Sequence, residues 1–252
     1  MKVAIIGAGN VATVLGNRII QAGHQVIQII SRRAEHAKLL AIQLGSKWSI
    51  NAADIDCGAD IYLVAISDAA LNELPGSYRL GDRLVVHTAG AISMDVLKMI
   101  SSNYGVVYPL QSLRKENPVL HQVIPFLIDG NTDAARKSIE NFASSMSSIV
   151  CRSTEGERLK LHIAAVLVSN FTNHLYAVAA GYCDREGVDF KMLQPLIEET
   201  ALRLRCHLPA EMQTGPATRK DIATLDKHLR ALSGHPKIKS IYLKMTDSIM
   251  HP

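Results

Sequence analysis

Residues 2–12 read Lys-Val-Ala-Ile-Ile-Gly-Ala-Gly-Asn-Val-Ala: a short β-branched apolar run, two glycines, then the opening of a helical pattern. A run of that kind suits a parallel strand buried on both faces. Gly7, Gly9 and Ala12 stand in the spacing G-x-G-x-x-A. The first glycine permits a tight turn, the second lets a ligand approach bare backbone, and Ala12 lets the helix sit close on the strand. The helix start then offers unpaired N–H groups and a partial positive charge to phosphates. Strand, glycine turn and helix in this order point to a dinucleotide site built from Gly7, Gly9, Asn10, Val11 and Ala12.

The alternation continues. Strands are expected at 2–7, 25–30, 46–50, 59–66, 84–87, 105–108, 123–128 and 148–152, with helices at 10–21, from Ser31 toward Gly45, 68–74, from Ser93 to Ile100, and 133–146. Repeated βα units imply a parallel sheet with helices on both faces, a Rossmann-type α/β domain over residues 1–152. Near residue 153 the pattern changes. Thr154-Glu155-Gly156-Glu157 has the form of a capping box, and no stop signal follows until Gly187. Further helices are expected from Asp189 to Leu204, Asp221 to Leu232, and Pro236 to Ile249. Residues 153–252 therefore read as an all-helical domain for substrate binding and dimerisation.

A helix as long and apolar as the one opening that domain must be covered on several sides. A second copy of the chain is the expected cover, giving a homodimer. A membrane span is disfavoured, because His162, Ser169, Asn170, Thr172, Asn173 and His174 interrupt the apolar run. The 27 basic and 23 acidic residues are scattered, so no basic patch for nucleic acid is expected. Cys57, Cys151, Cys183 and Cys206 form no CxxC pair and share no ligand spacing with histidine. They read as reduced core thiols, and no metal site is expected. A strand beginning at residue 2 leaves no room for a signal peptide, which points to the cytoplasm.

The second strand ends Ile29-Ile30-Ser31-Arg32-Arg33. An acidic residue at this tip would bind the ribose hydroxyls of NAD; here stand a hydroxyl and two guanidiniums. Arginine pairs with phosphate bidentately and stacks on adenine, so Ser31, Arg32 and Arg33 favour NADP, with NAD as the alternative. FAD fits less well, since no second region for a flavin half stands out. Other cofactor contacts are expected at the carboxyl ends of two later strands: Ala65, Ile66 and Ser67, and His87, Thr88, Ala89 and Gly90.

A dinucleotide fold followed by a helical domain opened by one long helix resembles the 6-phosphogluconate dehydrogenase-like superfamily, which includes pyrroline-5-carboxylate reductase, 3-hydroxyisobutyrate dehydrogenase and ketopantoate reductase. More closely, the chain resembles Rossmann-like proteins that carry domain of unknown function 2520. The stretches that carry this likeness are His87-Thr88-Ala89-Gly90, Tyr108-Pro109-Leu110-Gln111-Ser112, Leu161-His162-Ile163-Ala164-Ala165, Ser169-Asn170-Phe171 and Thr214-Gly215-Pro216-Ala217-Thr218-Arg219-Lys220-Asp221. They span nearly the whole chain. The resemblance implies an NADP oxidoreductase. Related dehydrogenases place a lysine, and an asparagine four residues later, on the first long helix. Here Val166 follows four residues after His162, and Ala164 four after Lys160, so that pair is absent.

Read at about 100° per residue, Ser169 and Asn173 fall within about 20° of His162, one polar stripe on an apolar helix with Asn170 on its flank. Such groups either satisfy one another or face a cleft. A reductase needs a donor for the charge developing on O or N, and His162 is the candidate. Asn170 and Asn173 are candidates for orienting substrate. Gln111, Ser112 and Ser169 are candidate substrate contacts, and Arg219 a candidate clamp for a carboxylate. The expected activity is NADP-dependent hydride transfer to or from a small keto, hydroxy or imino acid. The alternative is an NAD(P)-binding sensor without turnover.

Overall fold

Every residue from Val3 to Ile6 is buried, and alternate residues point into different cores. Val3 and Ile5 pack with Leu15, Ile19 and Leu40, while Ala4 and Ile6 pack with Tyr62, Leu71 and Leu97. A strand covered on both faces has no polar side, which is why its sequence does not alternate. The computed structural model describes residues 1–74, 76–116 and 123–251. It divides into two compact units, Met1–Asn170 and Phe171–Pro252.

The first unit contains β1 (Lys2–Ile6), α1 (Asn10–Gln21), β2 (Gln25–Ile30), α2 (Ala34–Leu44), β3 (Lys47–Ser49), β4 (Ile61–Val64), α3 (Asp68–Asn72), β5 (Gly81–His87), β6 (Ser101–Pro109), β7 (Phe126–Gly130), α4 (Asp133–Met146), β8 (Val150–Arg152) and α5 (Glu155–Ala165). The strands form one sheet in the order β3-β2-β1-β4-β5-β6-β7-β8. The chain winds outward from β1 to β3, then returns to lay β4 on the other side of β1. Ligands of such sheets bind outside the carboxyl ends of the strands where the winding reverses.

The sheet departs from the expected parallel pattern at one pair: β7 runs antiparallel to β6. An apolar run carries no record of strand direction, and antiparallel neighbours need no crossover helix. Two helix starts also differ. Ser31 does not cap α2, which begins at Ala34 behind Arg33 with no side-chain cap. Ser93 accepts from the Asp95 N–H, but the turn it caps is a single 3-10 turn over Met94–Leu97, because β6 begins at Ser101.

The second unit holds α6 (Thr172–Glu186), α7 (Gln194–Arg203), α8 (Ile222–Ala231) and α9 (Pro236–Met250). Gly187, at φ 67°, ends α6 in the left-handed conformation. The expected continuous helix from Thr154 to Gly187 has its capping box, with the Thr154 side chain accepting from the Glu157 N–H and Glu157 accepting from the Thr154 N–H. Its middle is a π-helical stretch, Val166–Phe171.

The expectation that this helix is covered is not met within the chain. Arg158 is the buried residue of α5 and Cys183 that of α6, while Leu161, Ile163, Leu167, Val168 and Phe171 are exposed. The 32 residues Glu155–Glu186 are long and apolar enough to cross a membrane by length and composition alone. The cysteines also differ from expectation. All four thiols are free, but only Cys183 is buried, since the other three stand in loops, turns or an edge strand.

Candidate active site

Gly7 ends β1 with φ +125°, and a Cβ there would lie 2.1 Å from the Ala65 carbonyl oxygen. The residue therefore meets two demands: a backbone turn that side chains resist, and the close approach of the β4 end. Its N–H donates to Ile30 O at 2.7 Å, which draws the β2 end to the same point. Gly9 faces open space. It is the N-cap of α1 and offers no side-chain cap, and the first turn of α1 carries no acid. The leading N–H groups of α1 are thus left for an anion. Ala12 is fully buried. The Asn10 side chain accepts from the Lys115 N–H at 3.4 Å.

A cleft of about 860 Å³ opens at this point, lined by Gly7, Gly9, Asn10 and Val11, by Ser31, Arg32, Arg33 and His36, and by Ala65, Ile66 and Ser67. Glu73, Ser77 and Tyr78 also line it. Arg32 and Arg33 are exposed, and among the described residues neither makes an ion pair. The donor set fits a dinucleotide: bare amides where the pyrophosphate belongs, and two unpaired guanidiniums at the β2 tip where a 2′-phosphate belongs.

Further along the carboxyl edge, the Tyr108 hydroxyl lies 2.9 Å from His162 Nδ1. The rings meet edge-on, with centroids 5.8 Å apart and planes at 74°. Tyr108 comes from the end of β6, two strands beyond β4, so the pair lies roughly 10 Å along the sheet from the β4 end. Gly90 makes room for it: a Cβ there would stand 2.9 Å from His162 Nδ1 and 2.9 Å from Tyr108 Cζ. Burial, and secondarily the Asp68 charge, raise the Tyr108 pKa, so the phenol keeps its proton.

One turn before His162, the fully buried Arg158 donates through Nε to Gly90 O at 3.2 Å and through a terminal nitrogen to Ile92 O at 2.9 Å. Burial lowers its pKa, against the opposing pull of Glu155 and Asp129. The guanidinium thus straps the segment after β5 onto α5.

Residues 124–249 match the family model described as Domain of unknown function (DUF2520), and residues 2–90 the model described as NADP oxidoreductase coenzyme F420-dependent. The crystal structure of a candidate NADP oxidoreductase from Bacteroides fragilis is 34% identical, with 100% of this chain and 98% of that chain covered at a TM-score of 0.92. The chain belongs to the DUF2520 family. The 1-pyrroline-5-carboxylate reductase of Streptococcus pyogenes has the same fold at 15% identity, covering 100% and 99% of the two chains at a TM-score of 0.67. An imine reductase from Pseudomonas sp. does so at 14% identity, covering 98% and 87% at 0.60. No curated protein matches the sequence.

In this DUF2520 chain the cofactor residues expected around the glycine turn and at the β2 and β4 ends line one cleft, except Ala12, which is buried. His87 does not join them. It is completely buried, its Nδ1 accepts from the Ala89 N–H at 3.1 Å, and its pKa is lowered to about 3 by burial and then by Arg158. Its side chain is a neutral structural group, because β5 is covered on both faces. Thr88 and Ala89 are buried too, and Thr88 N–H donates to Val64 O at 3.2 Å, which joins the β5 end to the β4 end. Gly90 serves the ring pair.

The polar stripe does not carry through the helix. The π-helical stretch between His162 and Asn173 turns more slowly than 100° per residue, so spacing on an α-helical wheel misplaces Ser169 and Asn173. Asn170 and Asn173 are exposed. Gln111 and Ser112 are exposed just beyond β6, with Gln111 Oε1 accepting from the Ser112 N–H. Asn173 and Arg219 belong to the second unit, where Arg219 stands two residues before Asp221, the N-cap of α8. Among the described residues, no group of three or more His, Cys, Asp or Glu could hold a metal.

Sequence reasoning missed Tyr108, Arg158 and His36. The first lay inside a motif already singled out. The second had a signal, an arginine four residues before the candidate donor on an apolar helix. His36 follows Arg33 by three residues, one helical turn.

Proposed function

We propose that the protein is an NADP-dependent oxidoreductase that reduces C=O or C=N in a small keto or imino acid, or runs the reverse oxidation. The observation that carries this reading is the His162–Tyr108 pair at 2.9 Å, on the same sheet edge as a glycine turn with open amides. When bound, NADPH supplies a hydride to carbon. The residues of this chain do the rest. The α1 amides hold the pyrophosphate, and Ser31, Arg32 and Arg33 select the 2′-phosphate. A ring N–H of His162 donates a hydrogen bond to the oxygen or nitrogen as its charge develops. We assign substrate contacts to Gln111, Ser112 and Ser169, orientation of substrate to Asn170 and Asn173, and capture of a carboxylate to Arg219.

The reading extends to assembly. An exposed apolar face as long as α5–α6 marks an interaction surface. A second copy of the chain is the proposed cover, giving a homodimer in the cytoplasm. His162, Ser169, Asn170, Asn173 and His174 weigh against a lipid environment for the same helix.

One observation favours a sensor without turnover: the lysine–asparagine pair of related dehydrogenases is missing from the first long helix. Deuteride transfer separates the two. Labelled NADPH is offered to a panel of small oxo and imino acids, and label in a product supports the enzyme. Tight NADPH binding with no transfer to any of them supports the sensor.

A further inference from the structure

We propose that Tyr108 is a positioning residue that holds His162 as the tautomer protonated on Nε2, so that this ring nitrogen is the one presented to substrate. The inference deepens the proposed function and rests on its reading of His162 as the group that donates a hydrogen bond to the reacting oxygen or nitrogen.

A neutral imidazole has one N–H and one lone pair, and which nitrogen carries the proton is set by the partner of the other. Among the described residues Nδ1 of His162 has one partner, the Tyr108 hydroxyl at 2.9 Å. Among the described residues that hydroxyl has no other partner, and Tyr108 is only 9% exposed. If Nδ1 carried the proton, the phenol O–H would have no acceptor among the described residues. If Nδ1 carries the lone pair, the phenol donates to it and both groups are satisfied. The raised pKa of Tyr108 agrees, since a phenol that keeps its proton is a donor. Nε2 then bears the N–H, has no partner among the described residues, and belongs to a side chain that is partly exposed.

The surroundings hold the pair in place. Gly90 leaves no Cβ between the rings, and Arg158, four residues before His162, fixes Gly90 and Ile92 by their carbonyls. The chain thus carries an orienting group for its candidate donor: a phenol that donates to Nδ1, where a carboxylate or carbonyl would accept from Nδ1 and fix the other tautomer.

The test is nitrogen-15 NMR of the full chain labelled at the histidine side chains, at a pH where the rings are neutral, with His162 assigned from the spectrum of His162→Gln. The expected result is an Nε2-protonated His162 in the unsubstituted protein and a mixture of tautomers in Tyr108→Phe. An Nδ1-protonated His162, or unchanged populations in Tyr108→Phe, overturns the proposal. The first readout needs no variant, so a poorly folded Tyr108→Phe does not remove the test. Turnover on a substrate found by deuteride transfer gives a second readout: Tyr108→Phe is expected to lower kcat about tenfold with KM little changed. Retention of full turnover in His162→Gln would overturn the donor reading, and the tautomer result would then stand alone.

Discussion

Gly90 and His162 are packed so closely that a Cβ on the glycine would stand 2.9 Å from the imidazole Nδ1. Tyr108 Cζ lies equally close to the same point, so an alanine here must displace one ring or the other. Gly90→Ala is expected to lower kcat by roughly 10²-fold, the loss that follows a misplacement of about 1 Å at a reacting centre. NADPH affinity should hardly change, because the glycine turn at residues 7–12 is on different strands. Steady-state kinetics with parallel calorimetry check both halves. An equal loss of NADPH binding would assign Gly90 to the cofactor instead.

Arg32 and Arg33 line the cleft without ion-pair partners among the described residues, so their charge is available to a phosphate. Each charge-assisted hydrogen bond is worth about 1.5–3 kcal/mol. Arg33→Ala should therefore raise the Kd for NADPH by roughly tenfold to a hundredfold, and Arg32→Ala similarly. NADH, which has no 2′-phosphate, should lose much less affinity in both variants than NADPH does. Fluorescence titration with the two cofactors gives the comparison.

His87 sets a pH dependence of stability. Its pKa is depressed from the ordinary 6.5 to about 3 in the folded chain. Between those values the unfolded chain binds a proton that the folded chain refuses, so stability is lost as pH falls below about 6.5. Over pH 7 to 5 this residue alone removes about 2 kcal/mol. His87→Asn keeps an acceptor for the Ala89 N–H and removes the titration. Urea unfolding at the two pH values should show that much less acid sensitivity in the variant.

Arg158 bonds two carbonyls from a fully buried position. Arg158→Met fills the space and releases a desolvated charge, but leaves Gly90 O and Ile92 O unpaired. The lost bonds should outweigh the relief, for a net cost of about 2 kcal/mol. Scanning calorimetry should register a fall in Tm of roughly 4–8 °C. An unchanged Tm would mean that the strap contributes nothing.

The uncovered apolar face of α5 and α6 predicts self-association. Sedimentation without detergent should give a dimer, and Leu161→Glu with Phe171→Glu should give monomers. A protein that stays in solution only with detergent would support a membrane role for that helix.

Much of the first unit was legible because β1, α1, β2 and α4 are bounded by local signals: Gly7, Gly23 and Thr132 act through backbone geometry and caps within a few residues. The glycine turn was legible for the same reason, since a phosphate site at a helix start is a local structure. The direction of β7 was not, because an apolar run reads the same both ways. The π-helical stretch at Val166–Phe171 was not, because its residues are ordinary helix formers in sequence. Tyr108 and His162 lie 54 positions apart, and their hydrogen bond exists only once the sheet brings the end of β6 to α5.

The central claim is that pyridine nucleotide docks against the bare amides between β1 and α1. Isothermal titration calorimetry of the purified chain with NADPH and NADH tests it most directly. The account predicts saturable NADPH binding, with NADH weaker by about tenfold or more for want of the phosphate–arginine bonds. Absence of binding heat with either nucleotide, confirmed at a second temperature, would contradict it.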